Sequence, residues 1–120
     1  MKKRILLYIE FDATRNIIVQ NLKKHDYSIY ECRDFESAKS AIYQNTVDLL
    51  IIDNDNSKDN SYKFLKLFRD HNLYMFTPVF LLATGSSEKH MELKEEFKIA
   101  LVLPKPFDFR SLFNALEKLR

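Results

Sequence analysis

Apolar residues follow two alternating rhythms along this chain. Short β-prone runs occupy Arg4–Ile9, Tyr27–Cys32, Val47–Asp53, Val79–Ala83 and Ile99–Leu103, and between them apolar residues recur every three or four positions. The runs predict strands, and the aliphatic stretch that ends in Asp53 predicts one buried on both faces of a sheet. The periodic segments predict helices. The first runs from Asp12 or Thr14 to about His25 with Ile17, Ile18 and Leu22 inside; the second is capped by Asp34, buries Phe35, Ala38, Ala41 and Ile42, and ends near Asn45. The third turns Phe64, Leu65, Leu67 and Phe68 inward. The fourth, in the charged stretch Glu88–Lys98, buries Met91, Leu93 and Phe97, and the last, capped by Asp108, buries Leu112, Phe113, Leu116 and Leu119. Asn54–Ser61 reads as an aperiodic polar loop, Gly85-Ser86-Ser87 as a turn, and Pro104-Lys105-Pro106-Phe107 as a stiff connector.

Strands alternating with helices imply an α/β domain with a parallel sheet, because each parallel connection needs a crossover helix. Right-handed crossovers that cover both faces reverse the winding direction once, which opens a crevice at the carboxyl ends of the strands. Ile9 and Glu10, Asp53, Ala83 and Thr84, and Pro104 and Lys105 stand at those ends. Two acids, a hydroxyl and an amine are thereby expected to converge.

Composition narrows the setting. The 120 residues fit one domain over residues 1–120, and 46% hydrophobic beside 30% charged residues is a globular balance with no segment apolar enough to span a bilayer. Met1-Lys2-Lys3-Arg4 before an apolar run has the outline of a secretory signal, but Glu10 and Asp12 interrupt it and favour a strand. Cys32 is the single cysteine, which excludes an internal disulfide and fits a cytoplasmic location. A net charge of +2, from interspersed signs, gives no electrostatic case for nucleic acid.

The converging residues have a definite chemistry. Carboxylates completed by water and phosphate suit Mg²⁺, a lysine opposite them neutralises a phosphoryl group, and a strand-end hydroxyl can bond one of its oxygens. An aspartate so placed can act as nucleophile and form an aspartyl phosphate. Metal-assisted phosphoryl acceptance at Asp53 is the reading of the residues. Structural roles stand beside it: Asp53 as a loop cap, Lys105 as the partner of a buried Asp53, Thr84 as a turn residue, Cys32 as core packing, and His25, His71 and His90 as surface residues.

With "VDLLIID", "TPVFLL" and "LPKPF" in that order and spacing, the chain resembles the receiver domains of two-component response regulators, of chemotaxis-type single-domain extent, over nearly its whole length. The resemblance implies a flavodoxin-like doubly wound sheet of five parallel strands in the order 2-1-3-4-5, with five helices. It implies Asp53 as phosphoacceptor, Lys105 as the phosphate-contacting lysine, Mg²⁺ held by Glu10, Asp53 and the backbone carbonyl of Asp55, and a cis Lys105-Pro106 bond. It also implies a signalling module rather than an enzyme. The phosphodonor would be a histidine kinase or phosphotransfer protein, and the output a protein partner or homodimer contact on the face of helix 4, strand 5 and helix 5. No membrane or direct nucleic-acid contact is expected.

Several positions depart from the family pattern. Ile9 stands where a first acid is usual, Ala83 where the switch hydroxyl is usual with Thr84 one place later, and Val102 where an aromatic is usual. Asn56-Ser57 and Asn60-Ser61 replace Met-Pro and Asp-Gly pairs. Asp12 is an alternative metal ligand or a helix cap, and Thr84 replaces the hydroxyl only if the strand has already turned. The expected function is therefore an atypical receiver that accepts a phosphoryl group on Asp53. A pseudo-receiver acting as a phosphorylation-independent interaction module is favoured by Ile9, Ala83 and Val102. A haloacid-dehalogenase-like phosphohydrolase shares the Asp53-Asn54-Asp55 opening but lacks that family's later Gly-Asp motif.

Overall fold

Successive residues of each strand divide between two cores, one on either side of the sheet. In the computed structural model, which describes residues 2–84, 88–106 and 108–119, the elements run β1 (Lys3–Tyr8), α1 (Asp12–Leu22), β2 (Tyr27–Cys32), α2 (Phe35–Gln44), β3 (Leu49–Asp53), α3 (Asn60–Asp70), a 3₁₀ turn (Asn72–Tyr74), β4 (Val79–Thr84), α4 (Glu88–Phe97), β5 (Leu101–Lys105) and α5 (Phe109–Lys118). The strands pair in parallel in the order β2-β1-β3-β4-β5. Ile5, Leu7, Leu49, Ile51, Phe80, Leu82 and Leu103 pack with Ile18 and Leu22 of α1 and Leu112 and Leu116 of α5. Leu6, Tyr8, Leu50, Ile52 and Leu81 pack with residues of α2, α3 and α4, among them Ile42, Phe64, Phe68 and Leu93. Apolar side chains on both faces explain why β3 carries no polar alternation.

Several boundaries differ from the sequence reading. β5 begins two residues later than Ile99, because the Ile99 amide closes the end of α4 by donating to the Lys94 carbonyl (3.0 Å) across a left-handed Lys98 (φ 52°). β3 begins at Leu49 rather than Val47; Asp48 is held to β1 by its amide on the Arg4 carbonyl (2.8 Å) and by its carboxylate on the Arg4 amide (2.7 Å). β1 ends at Tyr8, before Ile9. β4 continues through Thr84. The turn at residues 85–87 lies outside the described residues.

Two apolar residues expected inside face solvent. Arg15, Ile18, Val19 and Leu22 form the buried stripe of α1, which leaves Ile17 off the stripe and 51% exposed. In α4 the stripe is Leu93 and Phe97, and Met91 is 66% exposed. α1 stops at Leu22 rather than His25, and its N-cap is Phe11, with no side-chain cap. Asp34 and Asp108 do cap α2 and α5, accepting from the Ser37 amide (2.7 Å) and the Arg110 amide (2.9 Å). Cys32 is buried in the α2–α4 core, and burial pushes its thiol up to about 11. No described helix is long and apolar enough to cross a membrane.

Candidate functional site

β3 delivers Asp53 to the carboxyl edge of the sheet, fully buried beside Leu82 of β4, and the next pair along that edge is Thr84 with Lys105. The Lys105 ammonium lies 2.7 Å from Asp53 Oδ1 and 2.8 Å from Asp55 Oδ2, so one cation bridges two carboxylates. The Asp55 amide also donates to Asp53 Oδ1 (2.9 Å). Asp53 Oδ2 is buried and accepts no hydrogen bond from the described residues. Beneath it the Ser61 hydroxyl donates to the Asp53 carbonyl (2.5 Å), and the Asn54 amide extends the ladder onto the Leu82 carbonyl (2.8 Å). The Lys105-Pro106 peptide bond is cis.

Thr84 does not need the strand to turn. Ala83 is fully buried, and Thr84, still within β4 and on the opposite side of it, donates its hydroxyl to Asp55 Oδ2 (2.5 Å). Its partner is Asp55 and not Asp53. In the receiver reading Asp55 counted for its backbone carbonyl, whereas its side chain is the acceptor shared by Lys105 and Thr84.

The electrostatics follow from these contacts. Hydrogen bonds from Lys105 and then Thr84 hold the Asp55 carboxyl below the usual carboxylate range. Burial alone would lower the Lys105 pKa, but the bonds to Asp53 and Asp55 carry it above that of a free lysine.

Glu10 is placed differently from expectation. Its Oε1 accepts from the Ser57 hydroxyl (2.8 Å) and the Ser57 amide (3.1 Å), which turns the carboxylate toward the β3–α3 loop. Burial first, and the Glu10 charge second, raise the pKa of the Tyr8 hydroxyl. Asn56, almost fully buried, ties the two loops together: its Oδ1 accepts from the Glu10 amide (2.9 Å) and its Nδ2 donates to the Tyr8 carbonyl (3.2 Å). Asp12 neither caps α1 nor joins Asp53; its carboxylate pairs with Arg15. Among the described residues, no group of three or more His, Cys, Asp or Glu side chains is arranged to hold a metal ion.

The residues at the departing positions are absorbed by packing. Ile9 is fully buried in the α1–α5 core, and Val102 is half-buried against the α2–α4 core. Arg15 was missed by the sequence reading. Its guanidinium, 7% exposed, donates to the Ile9 carbonyl (2.7 Å) and the Glu10 carbonyl (3.4 Å), fixing the β1–α1 loop. The available signal was a cation in phase with Ile18 and Leu22. Asn56 and Ser57 carried none, since the loop has no periodicity.

A family model for the response regulator receiver domain matches residues 6–117. The chain belongs to the response regulator receiver domain family. It is 28% identical over 119 residues to regulatory protein VanRB of Enterococcus faecalis, covering 99% of this chain and 53% of that protein, so it spans about half the length of this relative. Among solved structures it is similar to the chemotaxis protein CheY4 of Vibrio cholerae, with a TM-score of 0.91, 21% identity and all of both chains covered. It is also similar to the signal receiver domain of an HD domain-containing protein from Pseudomonas fluorescens, with a TM-score of 0.89, 23% identity, and 99% of this chain and 94% of that one covered. These structural likenesses bear on the fold: five parallel strands in the order 2-1-3-4-5 with five helices.

Proposed function

We propose that this receiver domain accepts a phosphoryl group on Asp53 from a histidine kinase or phosphotransfer protein. The observation that carries the proposal is the arrangement at the end of β3: a buried carboxylate with one oxygen on Lys105 and the other, Oδ2, without a hydrogen bond among the described residues. In the transfer, Asp53 Oδ2 bonds to phosphorus as the phosphorus–nitrogen bond of the donor phosphohistidine breaks. The departing imidazole nitrogen keeps the electron pair and takes a proton from solvent. Lys105 stabilises the charge on the transferring group, which is where preorganised positive charge contributes most.

A hard cation fits the donors present, since the unpartnered Asp53 Oδ2, the Glu10 carboxylate and the Asp55 carbonyl are all oxygen. These residues would hold Mg²⁺, which when bound supplies further positive charge against the phosphoryl oxygens. Glu10 would first leave Ser57. The domain is atypical in carrying Ile9, Ala83 and Val102, and the signal would leave as a contact with a partner protein or second copy on the α4, β5 and α5 face. Met91 on α4, exposed to solvent, supports that face. The role is that of a cytoplasmic signalling module without direct membrane or nucleic-acid contact, not of an enzyme.

A pseudo-receiver is the second reading, favoured by the complete burial of Asp53 beneath its ion pair. One assay separates the two. The protein is incubated with acetyl phosphate and Mg²⁺ and its intact mass is followed, with Asp53→Asn alongside. The proposal expects the wild-type mass to rise by one phosphoryl group and the variant's to stay unchanged; an unmodified wild type after prolonged incubation supports the pseudo-receiver instead.

A further inference from the structure

The Lys105 ammonium and the Thr84 hydroxyl converge on a single acceptor, Asp55 Oδ2, at 2.8 Å and 2.5 Å. An ammonium and a hydroxyl are the donors that the oxygens of a phosphoryl group on Asp53 would need. The ammonium stands beside Asp53, whose Oδ1 is 2.7 Å from the same lysine nitrogen, and Thr84 is paired with Lys105 on the neighbouring strands. Both donors are thus already bound to a carboxylate of this chain. The backbone that carries this carboxylate is held in place, because the Asp55 amide donates to Asp53 Oδ1 at 2.9 Å.

We infer that Asp55 is a built-in occupant of the phosphoryl position: its carboxylate fills the anion subsite formed by Lys105 and Thr84 and competes with a phosphoryl group on Asp53. The inference rests on Asp53 being the acceptor. Exposure gives a route for the exchange. Asp53 is fully buried, whereas the Asp55 side chain is 39% exposed, so Asp55 can swing outward while its backbone stays. A phosphoryl dianion arriving with Asp55 in place adds its charge to two carboxylates that share one lysine, and like charges at that range oppose loading. The side chain is the brake, and its backbone carbonyl is independent of it.

The test is the rate of loading by acetyl phosphate with Mg²⁺, read by intact mass on the 120-residue chain. Asp55→Asn keeps the shape and removes the charge, and Asp55→Ala removes the group altogether; circular dichroism establishes that each is folded. Loss of a charge-assisted competitor is expected to speed loading by about tenfold or more in both. Asp59→Asn removes the same unit of charge from the exposed part of the loop and is expected to stay within about twofold of wild type, since exposed charges are screened. Adding Thr84→Val to Asp55→Asn is expected to remove part of the gain, because the hydroxyl that Asp55→Asn frees for a phosphoryl oxygen is then gone. Wild type and both Asp55 variants loading at equal rates overturns the inference and leaves the acceptor reading intact. An equal gain from Asp59→Asn overturns it as well, by making the effect one of general charge. If neither wild type nor the variants load, both the inference and the acceptor reading fall.

Discussion

Replacing Arg15 with methionine isolates the bonds that shape the loop carrying Glu10. Methionine keeps much of the apolar stem and removes the guanidinium. The Asp12 and Glu31 side chains that pair with Arg15 are 69% and 43% exposed, so water takes over their solvation. Together those pairs contribute at most about 1 kcal/mol. The bond to the Glu10 carbonyl is long at 3.4 Å and adds little. The bond to the Ile9 carbonyl decides the outcome: it is short, 2.7 Å, and buried. A charged donor lost from a buried acceptor costs roughly 1.5–3 kcal/mol. The sum is about 1.5–4 kcal/mol. For a domain of this size the entropy of unfolding is about 0.25 kcal/mol/K, so Tm should fall by about 6–16 °C. Urea denaturation followed by circular dichroism, with calorimetry for Tm, measures both. Arg15→Lys, which retains the charge but not the fork, should recover part of the loss. A methionine variant within about 0.5 kcal/mol of wild type would mean that the desolvation cost of the guanidinium cancels its bonds, and would refute the assignment of Arg15 as the clamp of this loop.

Other substitutions probe the ion pair, the buried thiol and the β3–α3 loop. Lys105→Met leaves the fully buried Asp53 without its cation and should cost about 3–5 kcal/mol in chemical denaturation, most of it recovered when Asp53→Asn is added; an additive double variant contradicts the pairing. Burial raises the Cys32 thiol from 9.0 to about 11, so in the native state it stays protonated while the unfolded chain ionises. Its contribution is fully present below pH 9 and is lost as pH rises toward 11, and Cys32→Ala should show a shallower decline of stability across that window. Lys58 holds φ at 56° without being glycine, and Lys58→Gly should raise stability by about 1 kcal/mol by relieving left-handed strain; an unchanged denaturation midpoint argues against strain there.

The architecture was legible because each strand announces itself as an apolar run and each helix as a period. Errors arose where tertiary contacts outweighed local pattern. Ile99 has the composition of a strand residue, yet its amide is taken by the end of α4. Ile17 and Met91 are apolar but lie one position off a stripe that Arg15 and Val19 or Leu93 and Phe97 complete. Asp53 and Lys105 were found as a pair because strand ends in a parallel sheet share one edge. The side-chain role of Asp55 and the turn of Glu10 toward Ser57 were not, because a loop without periodicity carries no signal of where its side chains point. Asp12 stands at a position where a cap is usual, and Arg15 one turn later draws it away.

Whether Asp53 is a working phosphoacceptor is decided by trapping the acyl phosphate. After incubation with acetyl phosphate and Mg²⁺, borohydride reduces an aspartyl phosphate to homoserine, and peptide mapping locates the change. Homoserine is expected at position 53 in wild type and at a faster rate in Asp55→Asn. Homoserine at position 55 instead, or at no aspartate in either protein, would contradict it.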